Sequence, residues 1–356
     1  MIKLSLCMIV KNEEDTLNRC LTCAKNFVDE IIIVDTGSTD NTKKIASEFT
    51  DKIYDFEWCD DFSKARNFSF SKATGDYIIW LDADDVVPEA EQAKFTALKQ
   101  ELSAQNAPDA VMCKYVASVN EKNEPQFYYF RERIVKNKPC FFWCDPIHEY
   151  INLQGNVISR DIKVFHKKVH PTPAKRNLKI YQNLEKSKVK FSPRALYYYG
   201  RELHYNKFYK KSNKILSQFL ATNGWVENKI DACSIMSQNY LFLGEIEQAK
   251  KALFSSLIYE QPRAKIACEI ANIFTQNQDY KTAKFWYKIA LNSPQNYQGF
   301  IEEKYANFIP ALGLCECCFY LGEIKASKHY HEISKKYNST APEVIFNENF
   351  FKNLKI

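Results

Sequence analysis

The sequence predicts an α/β domain over residues 1–192 followed by an all-α domain over residues 193–356. Three observations carry this division. Short apolar runs alternate with amphipathic stretches at strand–helix–strand spacing through the first hundred residues. From Ala195 onward the apolar pattern is helical throughout and repeats. Between the two lies a basic block, residues 160–214, with 16 Lys and Arg against 3 Asp and Glu in a chain whose net charge is only +6.

In order, Lys3 to Val10 reads as a buried strand, and Asn12-Glu13-Glu14-Asp15 opens a helix to about Asn26, its acidic first turn matching the helix dipole. Glu30 to Val34 is a second strand, ending in the polar turn Asp35-Thr36-Gly37-Ser38-Thr39-Asp40. A helix over Asn41 to Phe49 follows, with Thr39 or Asp40 as its cap. Lys52 to Phe56 is a short strand, Phe62 to Ala73 a helix, and Asp76 to Leu81 the next strand. This spacing implies right-handed crossovers and parallel strands. Ligands in such sheets bind at the carboxyl ends of the strands, so Lys11-Asn12-Glu13, Asp35-Thr36-Gly37 and Asp82-Ala83-Asp84 should open on one edge. Beyond Asp109 the spacing changes. Val111 to Val119 and Phe127 to Val135 are strands joined by a turn at Asn120 to Pro125. Short strands follow at Val157 to Ile158 and Val164 to Phe165, and Pro171 and Pro173 precede a helix from about Ala174 to Lys190.

Ile78-Ile79-Trp80-Leu81 is an apolar run that stops in three carboxylates, Asp82, Asp84 and Asp85. Repulsion and desolvation make that cluster costly at a buried strand end, and a divalent cation would remove the cost. On an extended strand end Asp82 and Asp84 point the same way and present two hard oxygen ligands, which suit Mn²⁺ or Mg²⁺ with a phosphate. A solvated acidic turn is the alternative.

In the helical part, Leu243-Gly244-Glu245-Ile246-x-x-Ala249 matches Asn277-Gln278-Asp279-Tyr280-x-x-Ala283 at an offset of 34 residues. Leu321-Gly322-Glu323-Ile324-x-x-Ser327 is a third copy displaced by 44, the extra length falling near Ser293 to Tyr297, and Asn206-Lys207-Phe208 begins an earlier, weaker one. A 34-residue period with small residues where helices touch is the tetratricopeptide pattern.

Composition narrows the class. No apolar stretch approaches the roughly 20 residues needed to span a bilayer. Lys3, Lys11 and Asn12 interrupt the opening apolar run, so no secretory leader is expected. The 12 Cys lack metal-site spacing and fit a reduced, cytoplasmic chain. The basic block carries no motif that reads nucleic acid, so no nucleic-acid partner is expected, whereas peripheral contact with anionic lipid stays open.

Met8 to Glu14, Val34 to Thr42 and Trp80 to Asp84, in that order and spacing, resemble the inverting family-two glycosyltransferases of the GT-A fold, a Rossmann-like mixed sheet. Asp61-Phe62-Ser63-Lys64-Ala65-Arg66-Asn67 and the helical tail point to the branch with a tetratricopeptide-like extension, similar to bacterial peptide S-glycosyltransferases and flagellin glycosyltransferases. The resemblance implies the following roles. Val10 and Glu13 lie beside the nucleoside, Asp35 accepts a hydrogen bond from uracil or ribose, and Arg66 contacts the nucleotide or its diphosphate. Asp84 holds the metal, and Asp82 meets the ribose or shares the ion. His148 and His166 serve the donor site, His166 as a further metal ligand. Trp143 stacks on the sugar or belongs to the core. Glu149, or Asp145 in its place, is the base that deprotonates the acceptor.

The resulting expectation is a Mn²⁺- or Mg²⁺-dependent enzyme. It would move a hexose or N-acetylhexosamine from a nucleotide diphosphate donor, UDP favoured, to a protein or peptide, with the helical domain recognising the acceptor or mediating self-association. Transfer to a lipid-linked or surface-polysaccharide precursor, and an inactive scaffold, are the competing readings.

Overall fold

The strand β1 (Leu4–Val10) is buried at every position but Ile9, which places it inside a sheet rather than at an edge. In the computed structural model, which describes residues 2–120, 123–170, 175–294 and 301–354, it pairs in parallel with β2 (Glu30–Asp35) on one side and β4 (Tyr77–Trp80) on the other. β3 (Ile53–Asp55) extends the parallel set beyond β2. The connections are α1 (Leu17–Ala24), α2 (Thr42–Ser47) and α3 (Phe62–Phe70). After β5 (Asp85–Val86) and α4 (Glu89–Leu102) come β6 (Ala110–Val119), β7 (Pro125–Lys136), the short antiparallel pair β8 (Trp143–Cys144) and β9 (Tyr150–Ile151), β10 (Val157–His166) and α5 (Arg176–Lys186). The main sheet runs β3-β2-β1-β4-β7-β6-β10-β5. β7 is antiparallel to both β4 and β6, so the sheet is mixed, as the GT-A resemblance implies.

The period of two along β1 divides the core. Leu4, Leu6, Met8 and Val10 pack on one face with Leu17 and Leu21 of α1 and Phe95 and Leu98 of α4. Cys7 faces the other way, with Ile32, Ile78, Trp80, Phe70 and Trp143.

Three local expectations need correction. The first helix starts at Leu17, not Asn12: Asn12 has φ 54°, and its Oδ1 accepts from Thr39 N at 2.8 Å, so it ties two strand ends together instead of opening a helix. No acidic residue lies in the first turn of α1; Glu14 instead accepts from Asn41 N and Nδ2 at 3.0 and 2.8 Å. The two short strands after Asn156 are one, β10, whose register against β6 shifts between Arg160 and Lys163. Residues 171–174 and 295–300, which include Pro171, Pro173, the expected helix start and the inserted Gln295 to Tyr297, lie outside the described residues.

The chain divides into two compact units, Met1–Ala195 and Leu196–Ile356. The helices are α6 (Pro193–Tyr205), α7 (Tyr209–Leu220), α8 (Val226–Phe242), α9 (Ile246–Ser255), α10 (Ala264–Gln276), α11 (Tyr280–Asn292), α12 (Phe308–Tyr320), α13 (Ile324–Tyr337) and α14 (Pro342–Asn353). Each pair turns at one left-handed residue: Lys207, Gly244, Gln278 and Gly322, with φ of 64°, 78°, 60° and 76°. The next residue's N–H then donates to the carbonyl five positions back, from Phe208 to Leu203, Glu245 to Tyr240, Asp279 to Phe274 and Glu323 to Cys318, at 2.8 to 3.0 Å. Five residues past each turn lie Ser212, Ala249, Ala283 and Ser327, all 0% exposed. A larger side chain there would push the helix pair apart. The weak copy at Asn206-Lys207-Phe208 is thus a full repeat, and the unit is tetratricopeptide-like. Among the described residues, no helix is long and apolar enough to cross a membrane.

Candidate active site

The carboxyl ends of β1, β2 and β4 meet on one edge. The turn after β2 is closed by Asp35: its Oδ2 accepts from Gly37 N and Ser38 N at 3.0 and 2.9 Å, and Gly37, at φ 99°, makes that turn passable. The other oxygen, Oδ1, is buried and has no hydrogen-bond partner among the described residues. A buried acceptor left unpaired is costly, and a donor group on a ligand would satisfy it. Val10 lies beside this turn, its carbonyl accepting from Thr36 N and Oγ1 at 2.9 and 3.1 Å. Glu13 takes a hydrogen bond from Thr16 Oγ1 at 2.7 Å. Burial, with Asp84 and Asp82 nearby, raises its pKa.

Arg66, on α3, is 7% exposed and joins two of the expected residues. Its Nη2 donates to Asp82 Oδ1 and its Nε to Glu149 Oε1, both at 2.7 Å. The guanidinium lies 4.9 Å from the ring centre of Trp80 and 4.7 Å from that of Trp143. Burial disfavours charge on Asp82, but Arg66, with Arg133 and Arg131 behind it, prevails and lowers its pKa to about 2. Trp143 is buried against Trp80, at 4.9 Å between ring centres, which makes it core and excludes it from stacking on a sugar.

The acidic run is not an extended strand end. β4 stops at Trp80, and the chain turns so that Asp85 N donates to Asp82 O at 3.0 Å while Asp82 N donates to Asp85 Oδ2 at 3.0 Å. The cause is Arg133 of β7, fully buried, whose Nη1 reaches Trp80 O at 3.1 Å and Asp85 Oδ2 at 3.2 Å. The turn gives Asp82 and Asp84 different neighbours. Asp82 faces Arg66, whereas Asp84 and Asp85 face His166 at the end of β10, 3.2 and 3.8 Å from its Nδ1. One ligand atom from each of Asp84, Asp85 and His166 falls within 4.8 Å of the others. Asp85 Oδ1 is buried and has no hydrogen-bond donor among the described residues. Oxygen and imidazole donors so placed, one an orphaned carboxylate oxygen, fit a divalent cation such as Mn²⁺. Burial opposes the charged form of His166, but Asp84 and Asp85 raise its pKa to about 10. Tyr115 Oη lies 2.7 Å from the same Nδ1.

The two remaining predicted residues sit on the loop between β8 and β9, both at positive φ. Asp145 accepts from Ser192 Oγ at 3.0 Å, and burial raises its pKa. His148 stacks on Tyr181 of α5, 6.3 Å between ring centres, and its carbonyl accepts from Arg194 Nε at 3.0 Å. The sequence reading missed Arg133 and left Asp85 without a role. The available signal was Arg131-Glu132-Arg133 inside an otherwise apolar strand, where charges persist only when paired.

Residues 5–150 match the family described as Glycosyl transferase family 2. The match falls on the first compact unit, and the tetratricopeptide-like helical unit follows it. The chain is 40% identical over 154 residues to a TPR repeat-containing protein of Synechococcus elongatus, covering 43% of this chain and 36% of that one. It is 26% identical over 258 residues to the SPbeta prophage-derived glycosyltransferase SunS of Bacillus subtilis, covering 66% of this chain and 60% of SunS. The chain thus spans less than two thirds of the length of either relative. Among solved structures, S. aureus TarS 1-349 in complex with UDP-GlcNAc aligns at 12% identity and a TM-score of 0.39 over 81% of this chain and 91% of that one.

Proposed function

We propose that the protein is a glycosyltransferase that moves a hexose or N-acetylhexosamine from a UDP-linked donor to a protein or peptide acceptor, with inversion and with Mn²⁺ or Mg²⁺ at its site. The observation that carries the proposal is the convergence on one sheet edge of an unpaired Asp35 oxygen, the Arg66 bridge and the Asp84–Asp85–His166 group. Asp35 Oδ1 suits the imide N–H of uracil. Asp84, Asp85 and His166 would hold the ion, which supplies positive charge to the diphosphate as the nucleotide departs. Asp82, with one oxygen committed to Arg66, is assigned to the donor sugar or ribose rather than to the ion. Val10 and Glu13 would flank the nucleoside. Repeats of the kind seen in the helical unit build concave surfaces suited to an extended peptide. The 12 free thiols fit a reducing, cytoplasmic setting.

A melting-temperature panel of nucleotides tests the donor, since a ligand stabilises the folded state according to its affinity. UDP with Mn²⁺ is expected to raise the melting temperature, and chelation to remove the rise. A shift with GDP or another nucleotide and none with UDP would overturn the donor assignment.

Inversion needs a base on the face opposite the leaving group. Glu149 is assigned that role because Arg66 ties it directly to Asp82 on the donor side. Glu149→Gln keeps an oxygen for Arg66 and loses the proton acceptor. It should lower kcat about a hundredfold or more with little change in donor KM. Asp145→Asn should stay within a few-fold of wild type. The reverse pattern would transfer the role to Asp145, whose raised pKa also suits a base.

A further inference from the structure

We propose that the turn edge of the helical unit, at its first two repeats, docks on a bilayer with anionic headgroups. The inference is independent of the transfer reaction.

The edge is defined by the left-handed turn residues Lys207, Gly244, Gln278 and Gly322. Two positions before three of them stand Tyr205, Phe242 and Tyr320, which are 61%, 66% and 58% exposed. Aromatic residues two positions after a turn pair with those of the next repeat. Tyr209 stacks on Phe242 at 4.8 Å and 9°, and Tyr280 on Tyr320 at 4.4 Å and 13°. At the first two repeats the cluster is densest: the His204 ring lies 5.5 Å from Tyr205, 6.1 Å from Tyr209 and 6.4 Å from Phe242, and Phe208 is exposed beside them. Large rings gathered at a surface mark a contact site rather than scattered exposure.

Charge selects the occupant. On the first repeat, residues 203–226 contain Lys207, Lys210, Lys211 and Lys214 and no Asp or Glu, whereas at the second turn Glu245 and Glu247 are balanced by Lys250 and Lys251. Lys207, Lys210 and Lys214 are exposed. Tyrosine and histidine, with an apolar body and a polar tip, and lysine, with an apolar stem, match the boundary between headgroups and acyl chains. Lysines near an anionic leaflet each strengthen partitioning about fivefold. The rings stand on helix ends and the turns between them, an edge that meets a flat surface more readily than it encloses a peptide.

The test is co-sedimentation of the full chain with vesicles of equimolar phosphatidylcholine and phosphatidylglycerol, beside vesicles of phosphatidylcholine alone, with circular dichroism as the folding control. Binding to the anionic vesicles is expected, weakened by added salt. Lys207→Gln with Lys210→Gln should reduce it by more than tenfold, and Tyr205→Ser with Phe242→Ser by at least that much. Wild-type protein that stays in the supernatant, or variants that sediment like wild type, would overturn the proposal. So would a concentration-dependent dimer abolished by the same substitutions, which would give the edge to a second copy of the chain.

Discussion

Asp84→Ala should abolish turnover, by about a thousandfold or more, while circular dichroism and the urea midpoint stay near wild type. Asp84 is partly exposed, and its removal leaves His166 with Asp85 as its remaining carboxylate partner. The loss expected is in the ion site. Without Asp84 the proposed ion would lose one of three donors, and charge stabilisation at the leaving diphosphate, worth several kcal/mol, would go with it. Titration calorimetry with Mn²⁺ in the presence of UDP separates this from a general defect: affinity for the ion should fall while the fold persists. A variant with near-normal initial rates, or unchanged Mn²⁺ affinity, would remove Asp84 from the ion site.

Arg66→Met should damage both stability and turnover. The guanidinium holds Asp82 and Glu149 at 2.7 Å each and packs against two tryptophan rings that touch one another. Removing it leaves two carboxylates facing a low-dielectric site with no cation bridging them, a loss on the order of 3–5 kcal/mol. The pH dependence gives an independent reading. In the folded chain Asp82 titrates at about 2, against an ordinary value of 3.8. The stability from that depression is complete above 3.8 and is lost as pH falls towards 2. In Arg66→Met the largest part of this contribution is lost, with Arg133 and Arg131 keeping the rest, so the difference in unfolding free energy between the two proteins should be largest at neutral pH and shrink on acidification. Arg66→Lys should recover little, because one ammonium cannot reproduce a planar fork that reaches two carboxylates at once. Equal urea midpoints at neutral pH, or a difference that does not narrow in acid, would mean that Arg66 does not hold these carboxylates.

What the sequence makes legible follows from where the determining forces act. β1, β2 and β4 are visible because their apolar runs are continuous, and a strand buried on both faces needs no alternation. The Asp35 turn is visible because aspartate followed by Thr-Gly-Ser is local chemistry. The repeats are visible because the same small residue must recur where helices touch. The conformation of Asp82 to Asp85 was not visible, since it depends on Arg133, which arrives from a strand far along the chain. The same applies to Arg66, whose type is read easily but whose bridge to Glu149 is set by how the β8–β9 loop folds back. β10 reads as two strands in the sequence because Arg160-Asp161-Ile162-Lys163 is largely polar, whereas in the structure this stretch is a register shift within one strand.

Asp35 combines two tasks in one side chain. One oxygen fastens the backbone of its own turn, and the other stays open. The turn is therefore closed by its own hydrogen bonds, and a nucleoside bound there as proposed would meet an acceptor already in place. Little backbone freedom would then be lost on binding, and preorganisation of this kind favours affinity by lowering that cost.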